Sequence, residues 1–432
     1  MKVVVFGLWH LGTVTAACLA GAGHDVTGLD VDAAVVERLA GGAAPLFEPG
    51  LDDLVRAGLA GGRLNFTTDA SVVGAADLVW LTSDTPVDDE DRADVEWVVQ
   101  RAAVLFPHLR DGTRVLVSSQ VPVGTTRRLE QMFQSMAGGR RVGFACSPEN
   151  LRLGRAIEAF THPDRVVVGV RSAEDRAAIE TLLRPFTDRI EWMSVESAEM
   201  TKHALNAFLA MSVTFINEIA VLCEQVGADA SDVARGLKSE ARIGPNAYLS
   251  PGAAFAGGTL ARDVMFLSEL GEEHGLATHV LSAVKASNDA HRQWAQRRLV
   301  DVLGGVAGRT VAVWGLTYKP GTDTLRRSSA VELCEWLHRG GARVRVHDPV
   351  IRQVPADLAA SIHLSADPLS AAEGADALVV STPWPQYRDV TPGDVAGRMS
   401  GTLVLDPAGF LAASFERQPG LRYLSVGRPT AP

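Results

Sequence analysis

The sequence predicts an α/β protein with two Rossmann-like, doubly wound parallel-sheet domains joined by a long central helix and a helical domain. Three observations predict it. Short apolar runs alternate with helical segments through the first half of the chain, and alternation of that kind builds a parallel sheet covered on both faces. A stretch from Glu199 to Val226 then runs without proline or glycine. From Arg309 the strand–glycine–helix–strand–acid plan of the N-terminus begins again. At 432 residues the chain is too long for a single hydrophobic core. The expected division is 1–196, 197–304 and 305–432.

The first element is the continuous apolar run Val3 to Phe6, the pattern of a strand buried on both faces. Gly7 and Gly12 mark a turn, Leu11 to Ala22 reads as a helix ended near Gly23, and Val26 to Leu29 is the next strand, finishing at Asp30. Val3 to Gly23 is long and uncharged enough to mimic a membrane span, but its glycines and His10 fit strand, turn and helix better. No basic segment precedes it, so it is not read as a signal peptide. Further strands are expected at Leu78–Leu81, Val115–Val117, Val142–Cys146 and Val166–Val170. The Glu199–Val226 helix ends at Gly227, and helical pattern continues to about Leu303. A helix of that length serves as a spine between domains or as a dimer interface. In the last part, Val311–Trp314 is strand, Gly315 turn, Ala330–Arg339 helix, and Val344–His347 strand ending at Asp348. Gly7 to Asp30 and Gly315 to Asp348 thus read as two copies of one plan.

Composition narrows the function classes. A net charge of −10 argues against a sequence-independent nucleic-acid binder. The 47% apolar and 21% charged content is that of a folded soluble chain, with no membrane partner expected. The four cysteines, Cys18, Cys146, Cys223 and Cys334, are widely spaced and form no CxxC pair. Reduced thiols, a cytoplasmic location and no metal site are therefore expected.

Gly7-Leu8-Trp9-His10-Leu11-Gly12 stands in the place of a GxGxxG fingerprint. The helix that follows would turn its N-terminus toward a pyrophosphate. Asp30, at the end of the second strand, would accept hydrogen bonds from a ribose 2′-hydroxyl and repel a 2′-phosphate, which favours NAD over NADP. Trp9 replaces the middle glycine, so it must point away or the dinucleotide must shift. The alternative is a sheet whose cofactor site has decayed.

Several blocks, in order, resemble the UDP-glucose/GDP-mannose dehydrogenase family across almost the whole chain. They are Phe47-Glu48-Pro49-Gly50-Leu51, Thr85-Pro86, Val121-Pro122-Val123-Gly124-Thr125, Ser147-Pro148-Glu149, Lys202 with Asn206 followed by Asn217-Glu218, and Pro251-Gly252 leading into Gly257-Gly258-Thr259-Leu260-Ala261-Arg262-Asp263. The third part adds Gly315-Leu316-Thr317-Tyr318-Lys319-Pro320, Thr322-Asp323 and Arg326. The resemblance implies an NAD-dependent enzyme acting on a nucleotide-diphosphate sugar, and a homodimer. It implies that Lys202 steadies the oxyanion or acts as base, with Asn206 one helical turn away, and that Asp263 orders a water near the reacting hydroxyl. Glu149, Tyr248 and Lys319 match substrate-contacting positions. Gly7, Leu11, Gly12, Asp30, Thr85, Gln120 and Arg262 fall on the cofactor side, and Arg326 matches an arginine reaching the cofactor across a domain interface.

Three positions depart from the family pattern. Thr259 stands where the family has the cysteine that carries a thioester in the second of two oxidations. Leu153 stands where a glutamate helps hydrolyse that thioester, and Gln120 where a threonine helps hold the hydrolytic water. A thiol titrates near 8.5 and is strongly nucleophilic, whereas an alcohol needs a dedicated base. The expected activity is a single or transient sugar-alcohol oxidation, alone or coupled to dehydration or epimerisation. The alternatives are a four-electron UDP-sugar 6-dehydrogenase that makes a uronic acid by hydrate oxidation, and a non-catalytic nucleotide-sugar-binding paralogue. Ala256 and Asn150 also differ and bear on the sugar pocket. The plainer reading of Thr259 is a buried hydroxyl bonded to backbone, that of Cys146 a small buried strand residue, that of His10 a turn residue, and that of the acidic run Asp88–Asp94 a solvated loop.

Overall fold

The computed structural model describes residues 1–88, 92–149, 151–256 and 258–429. Gly257, Asn150 and the middle of the Asp88–Asp94 run, singled out above, lie outside the described residues. The chain divides into two compact units, Met1–Ala204 and Leu205–Pro432.

The first unit carries an eight-stranded sheet: β1 (Lys2–Phe6), β2 (Asp25–Leu29), β3 (Leu64–Thr67), β4 (Leu78–Leu81), β5 (Arg114–Val117), β6 (Gly143–Cys146), β7 (Val166–Gly169) and β8 (Ile190–Met193). Their order in the sheet is β3-β2-β1-β4-β5-β6-β7-β8. Strands β1 to β6 pair in parallel, as expected, with Val5 opposite Gly28 and Val3 opposite Leu78. The sheet is mixed, however, not parallel throughout. β7 meets β6 antiparallel at Cys146 and Gly169, and β8 follows β7 in parallel. Between β6 and β7 the described residues hold only the six-residue helix Ala156–Thr161, and the apolar pattern of a buried strand carries no information about its direction.

Alternate residues of the central strands feed two cores. Val3, Val5, Leu78 and Trp80 pack with Val14 and Leu19 of the helix His10–Gly21. Val4, Phe6, Val79 and Leu81 pack on the other face with Leu129 and Phe133 of the helix Thr125–Met136. Burying a large aliphatic or aromatic side chain contributes about 1.5–3 kcal/mol, so both layers hold the strand ends, and the loops that leave them, in fixed positions.

The second unit begins inside the helix Val195–Val226, whose 32 residues make a rod of roughly 48 Å at 1.5 Å per residue. It starts four residues earlier than the sequence suggested. By length and composition this helix could cross a membrane, a test that the core helix of a soluble protein also passes. Helices Ala230–Ser239, Thr259–Glu273, His279–Arg292 and Trp294–Leu303 follow. The second sheet comprises β9 (Thr310–Trp314), β10 (Arg343–His347), β11 (His363–Leu364), β12 (Ala377–Val380), β13 (Leu403–Leu405) and β14 (Arg422–Leu424). Its order is β11-β10-β9-β12-β13-β14, parallel in every pair. The first six strands of the N-terminal sheet and all six of this one therefore share one winding. The order reverses beside the first strand of each, where open α/β sheets bind their ligands.

Candidate active site

Gly7 leaves β1 at φ +99°, and a Cβ there would lie 2.5 Å from Ser83 Oγ. A Cβ on Gly12 would lie 1.8 Å from the Gly7 carbonyl oxygen. Both positions need glycine, because strand, turn and helix approach so closely. Trp9 does not: it caps the helix at φ −82°, which any residue adopts. Its side chain is half exposed and lines a cleft with Gly7, Asp30, Thr85, Trp97 and Arg101. The indole thus neither enters the core nor distorts the turn. Asp30 accepts from the Leu8 amide at 2.7 Å and the Asp32 amide at 3.1 Å, so the loop's own donors aim its carboxylate. Thr85 Oγ1 donates to the Gln120 carbonyl oxygen at 2.6 Å, joining the loops after β4 and β5. Leu11 is buried behind the turn. A glycine-fixed turn, an oriented carboxylate and a cleft of about 260 Å³ between them fit a dinucleotide.

Two residues to which the sequence assigned no role organise this half. Glu48 is 4% exposed; it accepts from the Gly154 amide at 2.8 Å and the Ala156 amide at 2.9 Å, and pairs with His10 Nε2 at 2.9 Å. Burial alone would raise its pKa, but the bonds from His10, Gly154 and Ala156 outweigh that and hold it below the usual carboxylate value. His10 is accordingly more than a turn residue: it opens the helix and ties it to Glu48. Glu199 receives the Gly124 amide at 2.6 Å and the Thr126 amide at 2.9 Å, capping the helix Thr125–Met136 from the central helix. Its Oε atoms sit where the helix dipole favours an anion. The Val-Pro-x-Gly-Thr turn was visible in the sequence, but its partner carried no local signal.

Lys202 Nζ donates to the Glu149 carbonyl oxygen at 2.6 Å and lies 3.4 Å from Glu149 Oε1. Gln120, Glu149 and Lys202 line one small cavity together with Cys146 and Glu199. Cys146 is buried, and burial, reinforced by the Glu199 charge, pushes its thiol well above the ordinary range. It stays protonated at neutral pH and is a poor nucleophile, in keeping with the plainer reading. Leu153 is exposed.

In the second unit the amide Nδ2 of Asn206 donates to Asp263 Oδ2, and both residues are buried, Asp263 completely. Lys202 and Asn206 lie one turn apart on the same helix. Gly258, at φ +96°, caps the helix Thr259–Glu273, so Thr259 is its first residue. Thr259 is exposed, which corrects the expectation of a buried hydroxyl. Thr259 and Asp263 are one turn apart and share a face of the helix; Thr259 is at the exposed N-terminal end, whereas Asp263 lies a turn further in and is buried. The preceding loop is held by three side chains. Asn217 Oδ1 accepts from the Gly252 amide at 2.9 Å, Asn288 bonds both polar backbone atoms of Phe255, and His291 Nε2 donates to the Gly252 carbonyl at 2.8 Å. Asn288 and His291 were missed in sequence, since they sit on an ordinary amphipathic helix. Tyr248, Ser250, Phe255 and Leu260 line a cavity of about 340 Å³. Lys319 and Arg326 are exposed on the loop after β9, and Arg262 is half-buried on the first turn of its helix.

His291 gives a pH-dependent prediction. Burial lowers its pKa from the ordinary 6.5, so the unfolded state takes up the proton first as pH falls. Stability is full above about pH 6.5 and declines below it. Melting curves between pH 7.5 and 5.5 should show a downward slope that His291→Gln flattens; an identical slope in the variant would assign it elsewhere.

The second copy of the plan has a different chemistry. Gly315, at φ +86°, repeats Gly7, and the Leu316 amide donates to Asp348 at 2.8 Å as Leu8 does to Asp30. Asp348, however, also accepts from Thr317 N at 3.1 Å, Val350 N at 3.0 Å and Trp384 Nε1 at 3.1 Å, and is buried. Its carboxylate is used up internally and serves the fold.

The fold, the glycine-fixed turn and its oriented carboxylate are those of a dinucleotide-binding protein. Family models match the chain in sequence: the NAD-binding domain of the UDP-glucose/GDP-mannose dehydrogenase family over residues 1–187, its central domain over 196–290 and its UDP-binding domain over 312–413. The chain belongs to that family. It is 36% identical to a UDP-glucose 6-dehydrogenase of Rhizobium meliloti, over 99% of this chain and 100% of that protein. It is also 36% identical to a UDP-glucose 6-dehydrogenase of Pseudomonas aeruginosa, over 100% and 98%. A solved UDP-glucose dehydrogenase from Pyrobaculum islandicum superposes with a TM-score of 0.84 at 32% identity, covering 93% of each chain.

Proposed function

We propose that this chain oxidises the C6 alcohol of a UDP-hexose. The observation that carries the reading is the 36% identity, along essentially the whole length, to enzymes named UDP-glucose 6-dehydrogenase. Those names favour complete oxidation to the uronic acid over the single oxidation read from the residues. NAD supplies the hydride acceptor. Lys202, held by the Glu149 carbonyl, takes the hydroxyl proton or steadies the oxyanion. Asn206 fixes the Asp263 carboxylate, which orders a water. Tyr248, Glu149 and Lys319 contact the sugar nucleotide, while Gly7, Leu11, Gly12, Asp30, Thr85, Gln120, Arg262 and Arg326 serve the cofactor. The working division is 1–196 for NAD, 197–304 for dimerisation and substrate, and 305–432 for the nucleotide sugar, in a cytoplasmic enzyme.

One observation favours a stop after the first hydride. Thr259 offers an alcohol where the family has its thiol, and the Cys146 thiol is buried and protonated. The test is the NADH formed per UDP-glucose together with the product mass. Two NADH and a uronate support the complete reaction by hydrate oxidation. One NADH with an aldehyde, or none with a rearranged sugar, supports the second reading. No change with any UDP-sugar would leave a binding protein.

The dimer proposal rests on the central helix. Phe208, Phe215 and Leu222 are exposed at seven-residue spacing, opposite the buried Ala210, Ile216 and Ala220. Apolar side chains repeating every seven residues form a seam that a second helix covers. Phe215→Glu should shift the protein to a monomer in sedimentation; an unchanged mass would place the interface elsewhere.

A further inference from the structure

Asp30 has a partner that the cofactor fingerprint does not call for. Arg101, on the helix Val95–Ala103, places Nη2 at 2.9 Å from Asp30 Oδ1. The guanidinium carbon lies 4.5 Å from the centroid of the Trp97 ring and 5.5 Å from that of Phe6. The aromatic faces hold the guanidinium in place by cation–π attraction. Its Nε is buried and finds no hydrogen-bond acceptor among the described residues. Arg101 and Asp30 both line the cleft that contains Gly7, Trp9, Thr85 and Trp97.

A bare carboxylate at the end of the second strand selects NAD in two ways: it accepts from the ribose hydroxyls, and its charge repels a 2′-phosphate. Here the second effect is opposed. The ion pair sets a positive charge against Asp30, and a guanidinium is a planar, multiply donating partner for phosphate oxygens. We propose that Arg101 is a specificity-determining residue: it offsets the repulsion from Asp30 and lets the cleft accept NADP as a second dinucleotide. The proposal rests on the reading of Asp30 as the ribose acceptor.

Calorimetric titration of the full chain with NAD and with NADP tests it, with circular dichroism as the check on folding. The wild type should bind both. Arg101→Ala should weaken NADP relative to NAD by about ten- to hundredfold, the worth of a charge-assisted contact, and Arg101→Lys should restore part of the loss. Arg101→Gln, which keeps the length of the side chain, gives the same comparison if the alanine variant folds poorly. Asp30→Ala should weaken NAD and narrow or invert the preference. An unchanged NAD/NADP ratio in the Arg101 variants, or no binding of NADP by the wild type, overturns the role of Arg101. Undiminished NAD binding by Asp30→Ala overturns instead the ribose assignment beneath it.

Discussion

Lys202→Met is expected to lower the rate of NADH formation by about 10²- to 10⁴-fold, the usual contribution of a positioned acid–base group, while NAD binding and the fold persist. The side chain is largely buried, and its amine is fixed on the Glu149 carbonyl rather than waving in solvent. Methionine keeps the apolar stem and deletes the cation. The unpaired carbonyl costs about 1–3 kcal/mol of stability, so a modest fall in melting temperature is part of the expectation. Asp263→Asn should act similarly through the ordered water, since it keeps the shape of the pair with Asn206 and removes only the charge. Stopped-flow absorbance at the NADH band, run beside a thermal melt, separates chemistry from folding. Near-normal turnover in Lys202→Met would mean that the lysine is only a tether for the 149–156 loop.

Thr259→Cys is expected to give a burst of NADH followed by a stall, with the sugar left on the protein as a thioester. As the first residue of its helix, a cysteine at 259 would have its thiolate favoured by the helix N-terminus. It would add to the aldehyde, and hydride loss from the resulting hemithioacetal would form the acyl–sulfur bond. Release then needs a water held and activated, and Leu153 and Gln120 are unsuited to that task. Intact-protein mass spectrometry reads the adduct directly. Rapid multiple turnover to uronate without an adduct would show that hydrolysis does not depend on those two positions. Thr259→Ala supplies the control: a rate within a few-fold of wild type is expected, because an exposed threonine hydroxyl with no dedicated base contributes little nucleophilicity.

The strands and the two-copy plan were legible because they rest on local pattern. Val3–Phe6 followed by Gly7 can be read from apolar continuity and the steric demand for glycine, and the same grammar recurs at Val311–Gly315. The direction of β7 was not legible, since a strand buried on both faces looks alike from either end. Lys202, Asn206 and Asp263 were singled out by block resemblance, and two of them are hydrogen-bonded to each other. Glu199, Asn288 and His291 escaped, and so did the partners of Glu48, because each acts across a long sequence separation; Glu48 reaches Ala156 over 108 positions. Asp348 illustrates the opposite case. Its sequence context copies that of Asp30, yet Trp384, 36 positions away, occupies it, and no window of sequence around Asp348 contains that residue.

Glu48 joins segments that would otherwise fluctuate separately. One carboxylate receives His10 from the dinucleotide turn and two amides from the Gly154–Ala156 segment. Opening either segment strips the same acceptor, so their local unfolding equilibria are coupled. Occupancy of the turn by a dinucleotide should therefore slow deuterium uptake at the Gly154 and Ala156 amides, although neither is a ligand. Uptake at those amides that is unchanged by NAD would show that the shared carboxylate does not transmit cofactor loading to the Gly154–Ala156 segment.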